Sequence, residues 1–441
     1  MVSKKLFLII MLVFFYGILG DKFISKAEQK SNSPVFPEVK FAVISDLHYY
    51  DNSLGTTGAE FQEYLVNDRK LLVESEALLD QYVEALAKEE IKFLLVSGDL
   101  TKDGEKVNHQ KVQAKLEKLV DRGIQVLVVP GNHDLINGDA YAYQGDNKTR
   151  VATINDQEFA KLYAKFGYQQ AIARDSESLS YVVEPVSGLW VLALDSCMWK
   201  QNDPEKASIT EGEFSSTTLI WIEEVLKKAQ QEQKAVIAMM HHGILEHYRS
   251  NQKYFGEYLV NDYEKVGKLF SKYKLNYVFT GHFHSQDVVT KRYTKDDFIF
   301  DLETGSPTTY PSPYRVIKIT KAQEMQIQSK FIKQLPGISD YQAFARKFVS
   351  DGTKLMVKKK LKKYKVNTKD QERIAEMFAK AYLLHLAGDE RPTEKVLSYQ
   401  GLSFWGRIVL FMQKSLLEGW SKDLTPKDND LIIDLSTGKV H

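Results

Sequence analysis

The segment Ile124–Asp134 reads IQVLVVPGNHD, and it shows how the whole chain is organised. Its apolar run is typical of a strand that is buried on both faces of a parallel sheet. Pro130-Gly131 ends the run, because proline lacks an amide hydrogen and glycine allows an open turn. The segment therefore presents Asn132, His133 and Asp134 at the carboxyl end of a buried strand, where open α/β sheets bind ligands.

Four other apolar runs end in the same way, each with Asp or His close behind it. The runs and the residues that follow them are FAVIS with Asp46 and His48, IKFLLVS with Gly98 and Asp99, AVIAMM with His241 and His242, and NYVFT with Gly281, His282 and His284. A single pair of such residues is usually incidental. Five such groups in one chain, each at the end of a predicted strand, indicate a common site.

These motifs, in the order DxH, GD, GNHD, H and GHxH, resemble those of the calcineurin-like metallophosphoesterases. The resemblance extends roughly from Val39 to Ile332. It implies an α/β (α+β) sandwich in which helices flank two β-sheets, the αββα fold of that family. The alternation of predicted strands and helices agrees with such a fold. The chain also resembles extracytoplasmic bacterial members of the family that are linked to cyclic-nucleotide phosphodiesterases.

The resemblance also implies a site for two metal ions. One ion is expected to bind Asp46, His48 and His284, and the other Asn132, His241 and His282, with Asp99 binding one ion through each of its oxygens. Carboxylate, imidazole and amide ligands without sulfur suit Mn, Fe or Zn and do not decide among them. Two such ions lower the pKa of a water and neutralise phosphoryl oxygens, which is what hydrolysis of a phosphate ester requires.

His133 is expected to act on the substrate and not to bind a metal. By the resemblance it faces the leaving group, where an imidazolium protonates the departing oxygen or stabilises the transition state. Asp134 is expected to orient and charge-stabilise this imidazolium. His241 is the predicted ligand because the family's single histidine directly follows the strand, and His242 then lies behind the ligands or faces the substrate.

Several polar residues outside the motifs leave alternatives open. Arg315 contacts a phosphate or makes a structural salt bridge, and Asp195 supports the site or stabilises a turn or helix end. The segment Glu246–Tyr258 is aromatic and charged and is a candidate cap over the metals, which leaves the role of His247 open. His385 is expected to be an ordinary polar position, since it belongs to none of the motifs.

The expected domains are a metallophosphoesterase domain over residues 40–334 and a small C-terminal helical domain over residues 338–441. Leu335-Pro336-Gly337 marks the boundary, because proline and glycine interrupt regular structure. The Lys-rich segment 354–365 is either a solvated helix face or a contact with an anionic surface such as a membrane.

Hydrophobic spacing predicts the individual elements. Helices are predicted at 68–88, 108–122, 341–349, 371–386 and 403–419, and a hairpin is predicted around Gly188.

Lys4-Lys5 and the apolar stretch Leu6–Leu19 predict a signal peptide or N-terminal anchor over residues 1–24, with a polar linker over residues 25–39. Both alternatives place the protein outside the cytoplasm, either secreted or anchored to the outer face of the cytoplasmic membrane. The single cysteine, Cys197, excludes an internal disulfide and a thiolate metal cluster.

The favoured function is hydrolysis of phosphodiesters, with cyclic nucleotides among the candidate substrates. The partner is then a small phosphorylated molecule, in the first place a nucleotide. A phosphomonoesterase or nucleotidase is the alternative on the same scaffold, because the predicted site is compatible with both. A non-catalytic metal-binding protein is disfavoured, since all the motif residues are present. The net charge of +1 argues against a nuclease.

Overall fold

Two β-sheets pack face to face in the computed structural model of the chain, with helices on their outer faces. The structure describes residues 34–392 and 395–441, so the predicted signal segment and most of the predicted linker lie outside the described residues. The strands are β1 (Val39–Ile44), β2 (Phe93–Val96), β3 (Gln125–Val128), β4 (Tyr141–Gln144), β5 (Asn147–Arg150), β6 (Ala173–Arg174), β7 (Tyr181–Val186), β8 (Leu189–Ala193), β9 (Ala235–Met239), β10 (Tyr277–Thr280), β11 (Asp287–Arg292), β12 (Phe298–Glu303), β13 (Pro313–Ile319), β14 (Glu324–Phe331) and β15 (Asp430–Asp434). The α-helices are α1 (Ala59–Asp68), α2 (Ser75–Leu86), α3 (Lys106–Val120), α4 (Asp156–Leu162), α5 (Ser216–Gln231), α6 (Asn251–Phe255), α7 (Tyr263–Lys272), α8 (Tyr341–Lys363), α9 (Thr368–Ala387), α10 (Phe404–Met412) and α11 (Lys414–Gly419).

The first sheet, within the described residues, has six strands in the order β15-β14-β13-β1-β2-β3. Strands β1, β2 and β3 are parallel neighbours, and β13, β14 and β15 continue the sheet in antiparallel pairs. The β1–β3 strands are almost wholly buried, as their continuous apolar sequences predict. Because these strands are parallel, the three motif loops that follow them leave the sheet at the same edge.

The second sheet has seven strands in the part of the chain that the structure describes, in the order β11-β12-β10-β9-β8-β7-β6. Strands β8, β9, β10 and β12 are parallel, and β11 lies antiparallel to β12 at one side. The predicted hairpin is confirmed, since β7 and β8 are antiparallel and Gly188 between them has a φ of +89°. Strands β9 and β10 lead directly into the histidine motifs.

The main core lies between the two sheets. Phe41 of the first sheet and Phe279 of the second meet edge to face, with ring centroids 5.5 Å apart. Leu78 of α2 belongs to the same buried cluster, whereas Ile222 of α5 and Phe270 of α7 form a separate cluster on the second sheet. The predicted α/β sandwich of two sheets flanked by helices is therefore confirmed.

The helix predicted over residues 68–88 is present but shorter, because α2 extends from Ser75 to Leu86. Residues 59–68 before it form a separate helix, α1, which ends at Asp68. Arg69 has a φ of +60°, the left-handed conformation that ends many helices. The break leaves Arg69 and Lys70 in the connection between the two helices.

The C-terminal region contains helices α8–α11 and also strand β15, which pairs with β14 of the first sheet. Residues Val35–His441 form one compact unit, so the boundary at 335–337 falls inside it and the two-domain division stays a prediction. Most of the Lys-rich segment lies in α8, where Lys354 and Lys358 pair with glutamates of α9. Among the described residues, no helix combines the length and the apolar composition needed to cross a bilayer.

Candidate metal centre

Loops at the carboxyl ends of β1, β2, β3, β9 and β10 carry all seven predicted metal ligands. Five of these residues have a positive φ, namely Asp46 (54°), His48 (39°), Asp99 (48°), His282 (78°) and His284 (65°). A left-handed conformation costs a residue other than glycine about 1–3 kcal/mol and persists only where the surrounding structure imposes it. The surrounding structure therefore imposes these backbone conformations, which direct the side chains toward one another, and the local conformational preference of each residue does not.

The motif glycines are required for the close approach of these loops. A Cβ atom on Gly131 would lie 2.1 Å from Asp99 Oδ1, and one on Gly281 would lie 2.4 Å from Asp46 Oδ2. Both distances are far shorter than a van der Waals contact. The glycines thus allow the carboxylates to reach the centre of the site.

The first ligand group consists of Asp46, His48, Asp99 and His284, whose donor atoms lie within 4.8 Å of one another. The Nε2 atoms of His48 and His284 are 2.9 Å apart. Asp46 Oδ1 lies 3.4 Å from His284 Nε2, and Asp99 Oδ2 lies 3.5 Å from His48 Nε2. The structure therefore brings the first predicted ligand set together.

The second ligand group contains Asp99, His241 and His282. Asn132 belongs to it as well, because its Oδ1 lies 3.1 Å from His241 Nε2. The Nδ1–H of His241 donates to the Ser97 carbonyl at 2.9 Å, which leaves Nε2 facing the group. Metal-binding histidines usually have their second nitrogen held in this way.

Asp99 is common to both groups, as the bridging role predicts. Its Oδ2 atom lies 3.5 Å from His48 Nε2 and 3.4 Å from His241 Nε2. Its Oδ1 atom accepts a hydrogen bond of 2.9 Å from the His133 amide. The carboxylate would therefore help to hold both ions, and the binding of one ion by each oxygen stays a prediction.

The residues present fit two metal ions. Two imidazole nitrogens at 2.9 Å share at most one hydrogen, so the His48–His284 contact is better satisfied by a cation. Among the residues that the structure describes, the Nε2 atom of His282 is buried without a hydrogen-bond partner. Burial lowers the pKa of His48 and of His282 well below the ordinary value, which keeps both rings in the neutral form that binds metals.

The carboxylate that orients His133 is Asp103, and the assignment of this role to Asp134 was wrong. His133 Nδ1 lies 2.7 Å from Asp103 Oδ1. Burial raises the pKa of Asp103, but the adjacent Lys102 ammonium and His133 outweigh that effect and bring it to about 2. Burial also lowers the pKa of His133, and the Asp99 and Asp103 carboxylates more than compensate, so that the net shift is upward.

Asp134 instead connects two motif loops. Its carboxylate accepts hydrogen bonds from the amides of Gly131, Leu100 and Thr101 at 2.8, 3.0 and 3.0 Å, and from the Thr101 hydroxyl at 2.9 Å. It is wholly buried. Asp134 therefore fixes the spacing between the Asp99 loop and the Asn132 loop.

The structure also decides three of the open alternatives. His242 is held by Ser196 Oγ and the Thr210 carbonyl, at 2.8 and 2.9 Å, behind the ligand group. Asp195 stabilises a turn, accepting hydrogen bonds from the Cys197 amide and the Trp199 indole. Arg315 is structural, since it is fully buried and donates to the backbone carbonyls of residues 287, 303 and 428.

A cavity of about 470 Å³ opens from the metal centre toward the C-terminal helices. The end of α1 and the two residues after it, Asp68, Arg69 and Lys70, form one side. Tyr258 covers His282 with ring centroids 4.2 Å apart. The other aromatic residues that line it are Tyr248, Phe255, Phe283, Tyr364, Phe378, Tyr382 and Trp420. The sequence motifs gave no indication of this cavity, because its walls come from segments far apart in the chain.

A double sheet with clustered carboxylates and imidazoles at one edge, and a further histidine beside them, defines a dinuclear metal hydrolase of phosphate esters. The chain belongs to the calcineurin-like phosphoesterase family, whose family model matches residues 39–286. The resemblance of the five motifs is thereby confirmed. The family and the two ligand groups support a dinuclear metal site, without determining which metals it holds.

Three solved structures illustrate what the chain is similar to. A dimetal phosphatase from Danio rerio is 14% identical with a TM-score of 0.46, and the match covers 68% of this chain and 96% of that one. A purple acid phosphatase from yellow lupin (Lupinus luteus) seeds is 12% identical, with 67% and 52% covered and a TM-score of 0.43. An NAD nucleotidase from Haemophilus influenzae is 11% identical, with 75% and 61% covered and a TM-score of 0.34. No curated protein matches the sequence.

Asp99→Asn is expected to remove at least one metal ion, and activity with it, because the substitution keeps the side-chain size but removes the shared negative charge. Metal content by inductively coupled plasma mass spectrometry and hydrolysis of p-nitrophenyl esters measure the two effects. Asp195→Asn is the control, since it changes a buried carboxylate that accepts hydrogen bonds from Leu179, Cys197 and Trp199 and belongs to neither ligand group. Asp99→Asn protein that retained both ions would contradict the bridging role.

His133→Ala is expected to keep both metal ions while kcat falls about 10²–10⁴-fold, the usual contribution of a general acid. The fall should be smaller for p-nitrophenyl esters than for alkyl esters, because p-nitrophenolate leaves without needing a proton. Asp103→Asn should show the same dependence on the leaving group with a smaller fall. An equal fall for both kinds of ester would make His133 an electrostatic stabiliser, and loss of metal would make it a ligand.

Proposed function

We propose that the protein is a dinuclear metal phosphodiesterase for small phosphorylated molecules, with nucleotides and cyclic nucleotides as the substrate class. The observation that carries this proposal is the cavity beside the metal centre. A phosphodiester carries two organic groups. When one ester oxygen faces the leaving-group side, the site must still accommodate the second organic group. The cavity offers space for that second group directly next to the phosphoryl position.

The composition of the cavity wall supports a nucleotide. Phe255, Tyr258 and Trp420 line it, and stacking of a base on an aromatic ring contributes about 1–3 kcal/mol. The guanidinium of Arg69 lies 5.0 Å from the centre of the Tyr382 ring. Its Nε is buried and has no hydrogen-bond partner within residues 34–392 and 395–441. A guanidinium in that position is suited to bind a phosphate oxygen.

Each residue around the metal centre has a separate role in the proposed hydrolysis. Metal ions bound there would lower the pKa of the attacking water and stabilise the charge on the phosphoryl oxygens. His133 donates a proton from Nε2 to the departing ester oxygen, because Asp103 accepts the hydrogen on Nδ1 at 2.7 Å. Lys102 keeps Asp103 ionised, and Asp103 in turn keeps the His133 ring in its orientation.

The test uses protein that lacks residues 1–24 and has been loaded with Mn, Fe or Zn. Its kcat/KM for bis-p-nitrophenyl phosphate is expected to exceed its kcat/KM for p-nitrophenyl phosphate. A chelator should abolish both activities and added metal should restore them. A nucleoside 3′,5′-cyclic monophosphate tests the nucleotide class directly. Preference for the monoester would favour the phosphomonoesterase or nucleotidase alternative, and no hydrolysis by fully loaded protein would favour a non-catalytic role.

We also propose that the protein acts outside the cytoplasm, because Lys4-Lys5 and Leu6–Leu19 have the charge and apolar pattern of a signal segment. Cell fractionation is expected to recover it in the medium if the segment is cleaved and on the membrane if it is retained. Full-length protein in the cytosol would contradict this location. The lysines of segment 354–365 that are exposed offer a contact for an anionic cell surface.

A further inference from the structure

A second group of buried carboxylates and imidazoles lies at the start of β11, outside the metal centre. Its three core residues are Asp287, His385 in the last turn of α9, and Glu390 in the loop that follows α9. Their relative exposures are 4%, 2% and 5%. One donor atom from each residue lies within 4.8 Å of the others. Two segments of the chain far apart in sequence therefore bring a mixed donor set to one buried place.

The donor atoms of this group lie close enough together to surround a single cation, with His385 and Glu390 joined by a hydrogen bond in its place. His385 Nδ1 lies 2.8 Å from Glu390 Oε1 and 3.9 Å from Asp287 Oδ2. Ligand atoms that each lie about 2.0–2.2 Å from a metal ion are separated from one another by about 3–4 Å. Only small shifts of the side chains are needed to place an ion between them.

The Asp287 carboxylate points into this group. Its Oδ1 atom lies 3.3 Å from His247 Nδ1, and its Oδ2 atom lies 3.9 Å from His385 Nδ1. Nearby, in the part of the chain that the structure describes, both ring nitrogens of His247 and the Oε2 atom of Glu303 are buried without hydrogen-bond partners. His247 Nε2 lies 3.2 Å from Asp301 Oδ2, and His247 Nδ1 lies 3.5 Å from Glu303 Oε2, which are ion-pair distances. Buried polar groups of this kind are normally satisfied by the protein, by water or by an ion.

The charge around the group is strongly negative. Carboxylates of Asp301, Glu303, Asp389, Asp423 and Asp428 surround Asp287 and Glu390. Arg315, His247 and the exposed Arg391 are positive groups near them. Burial raises the pKa of Glu390 well above its ordinary value, and the Asp287 carboxylate adds to this. Burial of so many carboxylates is costly unless cations or protons neutralise them.

We infer that Asp287, His385 and Glu390 bind a third divalent metal ion, with Glu303 and His247 next to it. An imidazole together with carboxylates, and no sulfur, suits Zn²⁺ or Mn²⁺. The ion replaces the protons that these carboxylates would otherwise hold. It ties the loop after α9, and α9 itself, whose Phe378 and Tyr382 line the substrate cavity, to the strand that begins three residues after His284. Its role is structural and does not depend on the proposed reaction.

The test measures metal content in purified full-length protein that is stripped, reloaded with Zn²⁺ or Mn²⁺ and freed of excess ion. Wild-type protein is expected to hold three ions per chain, and Glu390→Gln two. Glu89→Gln is the matched control, because Glu89 is a largely buried glutamate paired with Lys40 and Lys330, and it should keep three ions. Asp99→Asn distinguishes the sites, since it should lose ions from the metal centre and keep the third.

Anomalous scattering from a crystal of the loaded wild-type protein provides a readout that needs no variant. A peak between Asp287, His385 and Glu390 is expected in addition to those at the metal centre. Absence of this peak, or two ions in both wild-type and Glu390→Gln protein, would overturn the inference. If the metal centre bound no ions but the third site did, wild-type and Asp99→Asn protein would both hold one ion. Failure of the proposed dinuclear function and failure of the third-ion inference are therefore distinguishable.

Discussion

The Asp99 carboxylate is the group on which the rest of the site depends. Its Oδ2 atom lies between His48, which follows a strand of the first sheet, and His241, which follows a strand of the second. A buried anion is costly unless donors or cations surround it. The two sheets must therefore pack with these strand ends at the same point, and several ligands take up unfavourable backbone conformations to reach it.

Hydrogen bonds between the motif loops hold this arrangement independently of any ion. Asp134 binds the amides that follow Asp99, and Asp46 accepts from the amide of His282 at 3.0 Å across the two sheets. Side chains fixed in this way need little rearrangement when a metal arrives, which favours tight and specific binding. The same carboxylates thus serve both the packing of the loops and the chemistry of the centre.

The sequence was sufficient for the parts of the site that are encoded locally. Each ligand motif directly follows an apolar run, so one short stretch specifies a buried strand and the side chain at its end. The features that were missed depend on contacts between distant segments. Asp103 meets His133 only because the loops after β2 and β3 are adjacent, and the break at Arg69 reflects a left-handed residue within a helical pattern. His385 was predicted to be an ordinary polar residue, because only folding of the chain brings it close to Asp287 and Glu390.

Strands β14 and β15 are antiparallel neighbours, although helices α8–α11 lie between them in the chain. In topological terms the helical segment is an insertion into a β-hairpin, attached at both ends to the edge of one sheet. A short turn in its place would leave the strand order of the sheet and every ligand of the metal centre intact. The metal ligands and the helical part of the cavity wall are consequently encoded in separable stretches, so that part of the wall can change in evolution while the ligand set is kept.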